Sequence, residues 1–228
     1  MNSVAHLGNI AIRLLSELTL KMGPFPLDKI PQKGPLIVIF NHVNLVDGPV
    51  LLNRLSSRPV IIMAKIETWD NPIFGPVLNG WDGIAVHRGE ADLEAFRKAQ
   101  QALADGKMLI ISPEGTRNEF KGLQTGHAGV TLLASRSGAP IIAVGIYNHR
   151  GFWKRMRWFL KRVPVDFNVG EPFKIDLGGK SLSKDNRQQV TDEIMYRLAE
   201  VLPPDYRGVY SDLSKATSDF IRPLDALS

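Results

Sequence analysis

An imidazole and a carboxylate, His42 and Asp47, stand where a run of β-forming residues gives out: Pro35-Leu36-Ile37-Val38-Ile39-Phe40-Asn41-His42-Val43-Asn44-Leu45-Val46-Asp47-Gly48-Pro49. Histidine exchanges a proton near neutral pH, and a nearby carboxylate can fix its ring, so the pair reads as a general base and its orienting partner. A structural reading competes with this one. Pro49 and the helix-spaced Val50, Leu51, Leu52 and Leu55 follow, so Asp47 also fits as the cap of a helix.

A second loaded stretch is Ile110-Ile111-Ser112-Pro113-Glu114-Gly115-Thr116-Arg117. Here Gly115 permits a tight turn, Arg117 suits bidentate contact with a phosphate, Thr116 adds a hydroxyl, and Glu114 suits an acceptor hydroxyl or an arginine. An ordinary turn with a surface salt bridge is the plain alternative. In a third stretch, Gly83-Ile84-Ala85-Val86-His87-Arg88-Gly89, Arg88 follows a strand-like run and offers a further phosphate contact.

What is missing narrows the chemistry. The chain has no cysteine, which removes thiolate nucleophiles and cysteine-ligated zinc and fits a reducing compartment. No G-x-S-x-G elbow and no H-E-x-x-H helix occur, and Gly179-Lys180-Ser181 lacks the earlier glycine of a phosphate-binding loop, because Lys174 stands there. The five histidines have no paired spacing, so no metal is expected. A net charge of +5 points to an anionic partner: a phosphorylated substrate, an anionic membrane surface or nucleic acid.

These residues need a frame. Leu36 to Phe40, Val60 to Ala64, Ile84 to Val86, Met108 to Ile111 and Ile141 to Ile146 read as short buried strands. Helical patterns cover Ala91 to Ala104, His127 to Ser137 and a late segment from about Ser183 to Pro203-Pro204. This alternation predicts a single α/β domain over 1–228, with a mixed, largely parallel sheet flanked by helices. Sites in such sheets gather beyond the carboxyl ends of the strands, where His42, Arg88 and Glu114 fall. Val163 to Val169 alternates like an edge strand, and residues 205–228 show no periodicity and read as a tail.

Two stretches suit a bilayer surface. Val4, Leu7, Ala11, Leu14, Leu15 and Leu18 give residues 1–22 an amphipathic helix. Residues 151–162 interleave Phe152, Trp153, Trp158 and Phe159 with Lys154, Arg155, Arg157, Lys161 and Arg162. That mixture fits a headgroup layer better than the groove of a nucleic-acid binder. No run of about 18 apolar residues is present, so a spanning helix is not expected.

Taken in order, Asn41-His42-Val43-Asn44-Leu45-Val46-Asp47, Gly83 to Arg88, Pro113-Glu114-Gly115-Thr116-Arg117 and Ala139-Pro140-Ile141-Ile142-Ala143-Val144 resemble the sequence blocks of the 1-acyl-sn-glycerol-3-phosphate acyltransferase family. The likeness covers residues 34–148, including Met63-Ala64-Lys65 and Asn71-Pro72-Ile73-Phe74-Gly75. It implies transfer of a fatty acyl group from acyl-CoA or acyl carrier protein, as co-substrate, to the free hydroxyl of a lysophospholipid, giving phosphatidate without a cofactor. His42 would be the base and Asp47 its orienting partner. Arg88, Arg117 and Lys65 would hold the acceptor phosphate, with Glu114, Gly115 and Thr116 shaping that pocket.

Three positions depart from the family pattern: His87, where an acidic residue is common, His127 for a lysine, and Ala143 for a proline. They leave the catalytic pair intact and put the acceptor headgroup in question. The resemblance implies work at the cytoplasmic face of the membrane, and the two surface stretches imply peripheral attachment. Readings with other consequences are the same chemistry on glycerol-3-phosphate, another lysophospholipid or a lipid alcohol, and a non-catalytic module binding membrane or nucleic acid.

Overall fold

Leu36, Val38 and Phe40 point to one side of their strand and Ile37 and Ile39 to the other, and all five are buried in the computed structural model. A strand that is apolar on both faces must lie inside a sheet covered on both sides, and this one is its centre. The structure describes residues 10, 13–14, 16–72, 74–87, 92–119, 121–149 and 162–224. The strands are β1 (Leu20–Met22), β2 (Leu36–Phe40), β3 (Val60–Lys65), β4 (Ile84–Val86), β5 (Met108–Ile111), β6 (Ile141–Tyr147), β7 (Val163–Val169), β8 (Phe173–Ile175) and β9 (Ile221–Pro223). The α-helices that follow residue 19 are α1 (Asp47–Arg54), α2 (Phe74–Gly80), α3 (Leu93–Ala104), α4 (Gly129–Ser137) and α5 (Lys184–Glu200).

The strands pair in the order β1-β7-β6-β2-β5-β3-β4. From β6 to β4 every pairing is parallel, so the carboxyl ends of five strands share one edge. Antiparallel β7 follows β6, while β8 and β9 extend the sheet from β6. One face packs Ile37, Ile39, Ile61 and Leu109 against Ala99 and Leu103 of α3, Val130 and Leu133 of α4, and Ile194 and Leu198 of α5. The other packs Val38, Phe40, Ile62 and Ile110 against Val50, Leu51 and Leu52 of α1 and Leu78 of α2. This is the expected α/β domain with its largely parallel mixed sheet.

Three expectations change. The strand over Val163–Val169 is internal, because Leu20–Met22 pairs alongside it in parallel. The segment from 205 is no tail as far as Leu224: it runs through 3-10 turns and returns to the sheet as β9. Its anchor is Glu193, a buried carboxylate on α5 that accepts hydrogen bonds from Thr217 Oγ1 at 2.8 Å and from the N–H groups of Asp219 and Phe220, both at 3.0 Å. The segment's buried apolar residues are few and irregularly spaced, Tyr206, Tyr210 and Ile221, so it shows no apolar periodicity. Third, Asp47 does not cap α1 from outside: it is the first helical residue, and its carboxylate turns back toward the preceding loop. In the N-terminal segment, residues 10, 13–14 and 16–19 are helical, with Leu14 and Leu18 exposed. No helix among the described residues is long and apolar enough to cross a membrane.

Candidate active site

The chain leaves β2 through Asn41, whose buried amide pairs twice with Ile146 of β6. Its Oδ1 accepts from the Ile146 N–H at 2.7 Å and its Nδ2 donates to the Ile146 carbonyl at 2.8 Å. Two neighbouring strand ends are thereby fixed in register just before the chemistry begins.

His42 follows, with both backbone groups taken. Its N–H donates to Glu114 Oε1 at 3.1 Å, and its carbonyl accepts from the Asn118 N–H at 2.7 Å. Glu114 is itself buried, and its other oxygen accepts from the Gln124 N–H at 3.0 Å while Asn118 Nδ2 donates to both oxygens. The structure thus turns Glu114 inward, beneath the site, where it ties the turn after β5 to the backbone of His42. Burial pushes the Glu114 carboxyl above its usual range, against the amide donors that favour the charge. Glu114→Gln would set an amide nitrogen against one of these N–H donors, so the variant is expected to lose about 1–3 kcal/mol of unfolding free energy in urea titration.

Asp47 is only 1% exposed, and both its oxygens are engaged. Oδ2 accepts from the N–H groups of Val43 and Asn44, each at 2.7 Å, and lies 3.2 Å from His42 Nδ1. Its position at the start of α1 adds the favourable end of the helix dipole. Oδ1 lies 2.9 Å from Nε2 of a second, fully buried imidazole, His149, which follows β6. Burial drives the Asp47 carboxyl upward, but the hydrogen bonds and charges of His149 and His42 outweigh it and hold the group below the usual carboxylate range.

With Nδ1 committed to the carboxylate, Nε2 is the His42 nitrogen available to a substrate. His42 lines a cavity of about 620 Å³ that runs between the helices on the carboxyl side of the sheet. Phe40, Leu52, Ile62, Leu78, Phe96 and Leu133 make its walls apolar, whereas Lys65, His87, Arg117, His127 and Arg136 bring cationic or ionisable nitrogen to its lining. Apolar walls with an oriented imidazole and cationic groups in the lining suit a substrate with a hydrocarbon chain and a polar, anionic head.

The remaining expected residues divide. Lys65 lines this cavity, 2.8 Å from Glu67, and Arg117 lines it with an exposed side chain. Gly115, at φ +64°, passes so close to His127 that an added Cβ would sit 2.8 Å from the ring. Thr116 is exposed and is not part of the cavity lining. Arg88 and residues 151–161 lie outside the described residues. His87 is at the cavity, its N–H and Nδ1 both 2.9 Å from Asp92 Oδ2. Asp92 also accepts from the Ala95 N–H at the start of α3, and these hydrogen bonds lower its carboxyl to about 2.

Sequence reasoning missed Asn41, Asn118 and His149 as parts of the site. A signal for the last was present: His149 follows its strand as His42 follows β2.

An imidazole–carboxylate centre thus stands at the carboxyl edge of a parallel sheet and opens on an apolar cavity. The Acyltransferase family model matches residues 26–147, more than half of the chain, and the chain belongs to that family. It is 29% identical over 128 residues to a 1-acyl-sn-glycerol-3-phosphate acyltransferase of Borreliella burgdorferi, covering 55% of this chain and 51% of that one. It is 27% identical over 119 residues to a lyso-ornithine lipid O-acyltransferase of Pseudomonas aeruginosa, covering 52% and 45%. The chain thus spans about half the length of these curated relatives. The crystal structure of the 1-acyl-sn-glycerophosphate acyltransferase from Thermotoga maritima shares the fold, with a TM-score of 0.60 and 23% identity over 84% of this chain and 74% of that one.

Proposed function

We propose that this protein is an O-acyltransferase that moves a fatty acyl group from acyl-CoA or acyl carrier protein to the free hydroxyl of 1-acyl-glycerol-3-phosphate, forming phosphatidate. The observation that carries the reading is the His42–Asp47 pair on a largely apolar cavity with Lys65 and Arg117 in its lining. His42 Nε2 takes the proton of the acceptor hydroxyl as its oxygen attacks the thioester carbonyl. The new C–O bond forms, the C–S bond breaks, and the imidazolium returns its proton to the leaving thiolate. Asp47 balances the imidazolium charge throughout. No acyl-enzyme, metal or prosthetic group enters these steps.

Arg117, with Lys65 and Arg88, binds the acceptor phosphate; Gly115 lets the turn approach the cavity, and Glu114 holds that turn to His42. Thr116 stands beside Arg117 in sequence and supplies a hydroxyl at the rim. The exposed Ile10, Leu14 and Leu18 on helical residues support peripheral attachment to an anionic membrane surface at its cytoplasmic face.

A screen of purified protein tests this directly, with lysophosphatidate, glycerol-3-phosphate, other lysophospholipids and a lipid alcohol against acyl-CoA and acyl carrier protein donors. Phosphatidate from lysophosphatidate is expected; turnover of the lipid alcohol alone would displace the phosphate-binding reading. Arg117→Ala is expected to raise KM for phosphorylated acceptors about 10-fold or more, the weight of one lost charge-assisted contact, with a smaller effect on the alcohol. Liposome flotation should show binding to anionic vesicles. Tight, salt-sensitive binding of single-stranded nucleic acid without lipid association would count against the whole reading.

A further inference from the structure

We infer that His149 is a positioning residue of the active site, acting on the base through Asp47. The inference rests on the reading of His42 as that base.

Asp47 is a buried carboxylate with two oxygens and two different sets of partners. The Oδ2 side is local: two amides and His42 Nδ1 all belong to the loop just before the helix. The Oδ1 side is met from another element, by His149 Nε2 at 2.9 Å, with the imidazole fully buried. Nε2 stands at ion-pair distance from that oxygen, so the ring meets the carboxylate from outside the loop that orients His42. It therefore keeps the charge in place without drawing on that loop.

The chain is shaped to deliver this ring. Asn148 adopts a left-handed conformation, φ 68°, uncommon for a residue other than glycine, so β6 ends abruptly and the next residue turns under the sheet edge. The Asn148 N–H donates to the Tyr206 hydroxyl at 3.0 Å, and the preceding strand end is pinned by Asn41. A buried histidine that served packing alone would not need to face the carboxylate that meets the ring of the base.

Among the described residues the titratable groups facing Asp47 are His42 from its own loop and His149 from the end of β6. Glu114, after β5, reaches the same loop through the His42 N–H. Removing the His149 donor leaves Oδ1 buried without it and concentrates the negative charge on the His42 side. A proton then enters the His42–Asp47 pair more readily, so the acid limb of activity moves to higher pH.

The test compares His149→Leu and His149→Gln in the acyl-transfer assay from pH 5 to 9, with His42→Ala alongside. The leucine removes the donor; the glutamine amide reaches about as far as Nε2 and restores it. Expected is a fall in kcat of about 10- to 100-fold for His149→Leu, the range typical for outer partners of an oriented group. KM for the acceptor should be nearly unchanged and the acid limb shifted upward, with most of kcat and the original limb recovered in His149→Gln. If the leucine variant does not accumulate folded, His149→Asn takes its place, polar but too short to reach.

Wild-type kcat in the donor-less variant, a loss without a shift of the limb, or equal loss in His149→Gln would each overturn the role of His149. An active His42→Ala would instead remove the base reading on which it stands.

Discussion

His42→Ala is expected to lower kcat for acyl transfer about 10²- to 10⁴-fold, the weight of one positioned general base, while leaving the protein folded. The separation of these effects follows from how the residue is held. Glu114 and Asn118 grip His42 through its backbone N–H and carbonyl, and alanine keeps both. The lost ring is about one-fifth exposed and borders the cavity, so its removal opens no sealed void. Thermal unfolding should therefore move by only a few degrees. Single-turnover rates with donor and acceptor both saturating would isolate the chemical step. Activity near wild type would end the proposal that His42 is the base, whatever the acceptor.

The parallel strands were legible because burial on both faces writes continuous apolar runs, and Leu36–Phe40, Ile84–Val86 and Met108–Ile111 have the predicted bounds. The meeting of His42 and Glu114 beyond the strand ends was legible for the same reason, since in a parallel sheet such residues share one edge. Other features depended on direction, which composition does not carry. Glu114 reads as a ligand-facing carboxylate, yet the turn at Gly115 sends it inward to backbone amides. Asp47 reads equally as a cap or a catalytic partner because either role places it at the start of a helix. In the structure its Oδ2 turns back to the N–H groups of Val43 and Asn44 and to the His42 ring. His149 was hidden by sequence distance: its partner lies across two parallel strands. The segment 205–224 was hidden because its holds, among them Glu193 on α5, are single residues that nothing local distinguishes from solvent-facing ones.

Asp47→Asn should reduce kcat about 10²- to 10⁴-fold, comparable to loss of the base, because the amide keeps the shape and removes the charge that balances the imidazolium. Its oxygen can still accept from Val43 and Asn44. Its amino group then stands at His149 Nε2, where a carboxylate oxygen had stood at 2.9 Å, so the favourable contact with that imidazole is lost. Stability should respond too, with a sign fixed by the direction of the Asp47 shift. A carboxyl held below its ordinary range in the folded state contributes stability above its unfolded pKa, and that contribution is lost as pH falls through the folded value. Asparagine cannot titrate. Urea titrations should therefore find the variant less stable than wild type at pH 7, with the gap narrowing as the pH is lowered below the ordinary carboxylate range. A gap that widened on acidification would mean that burial outweighs the two imidazoles and that Asp47 is destabilising when charged.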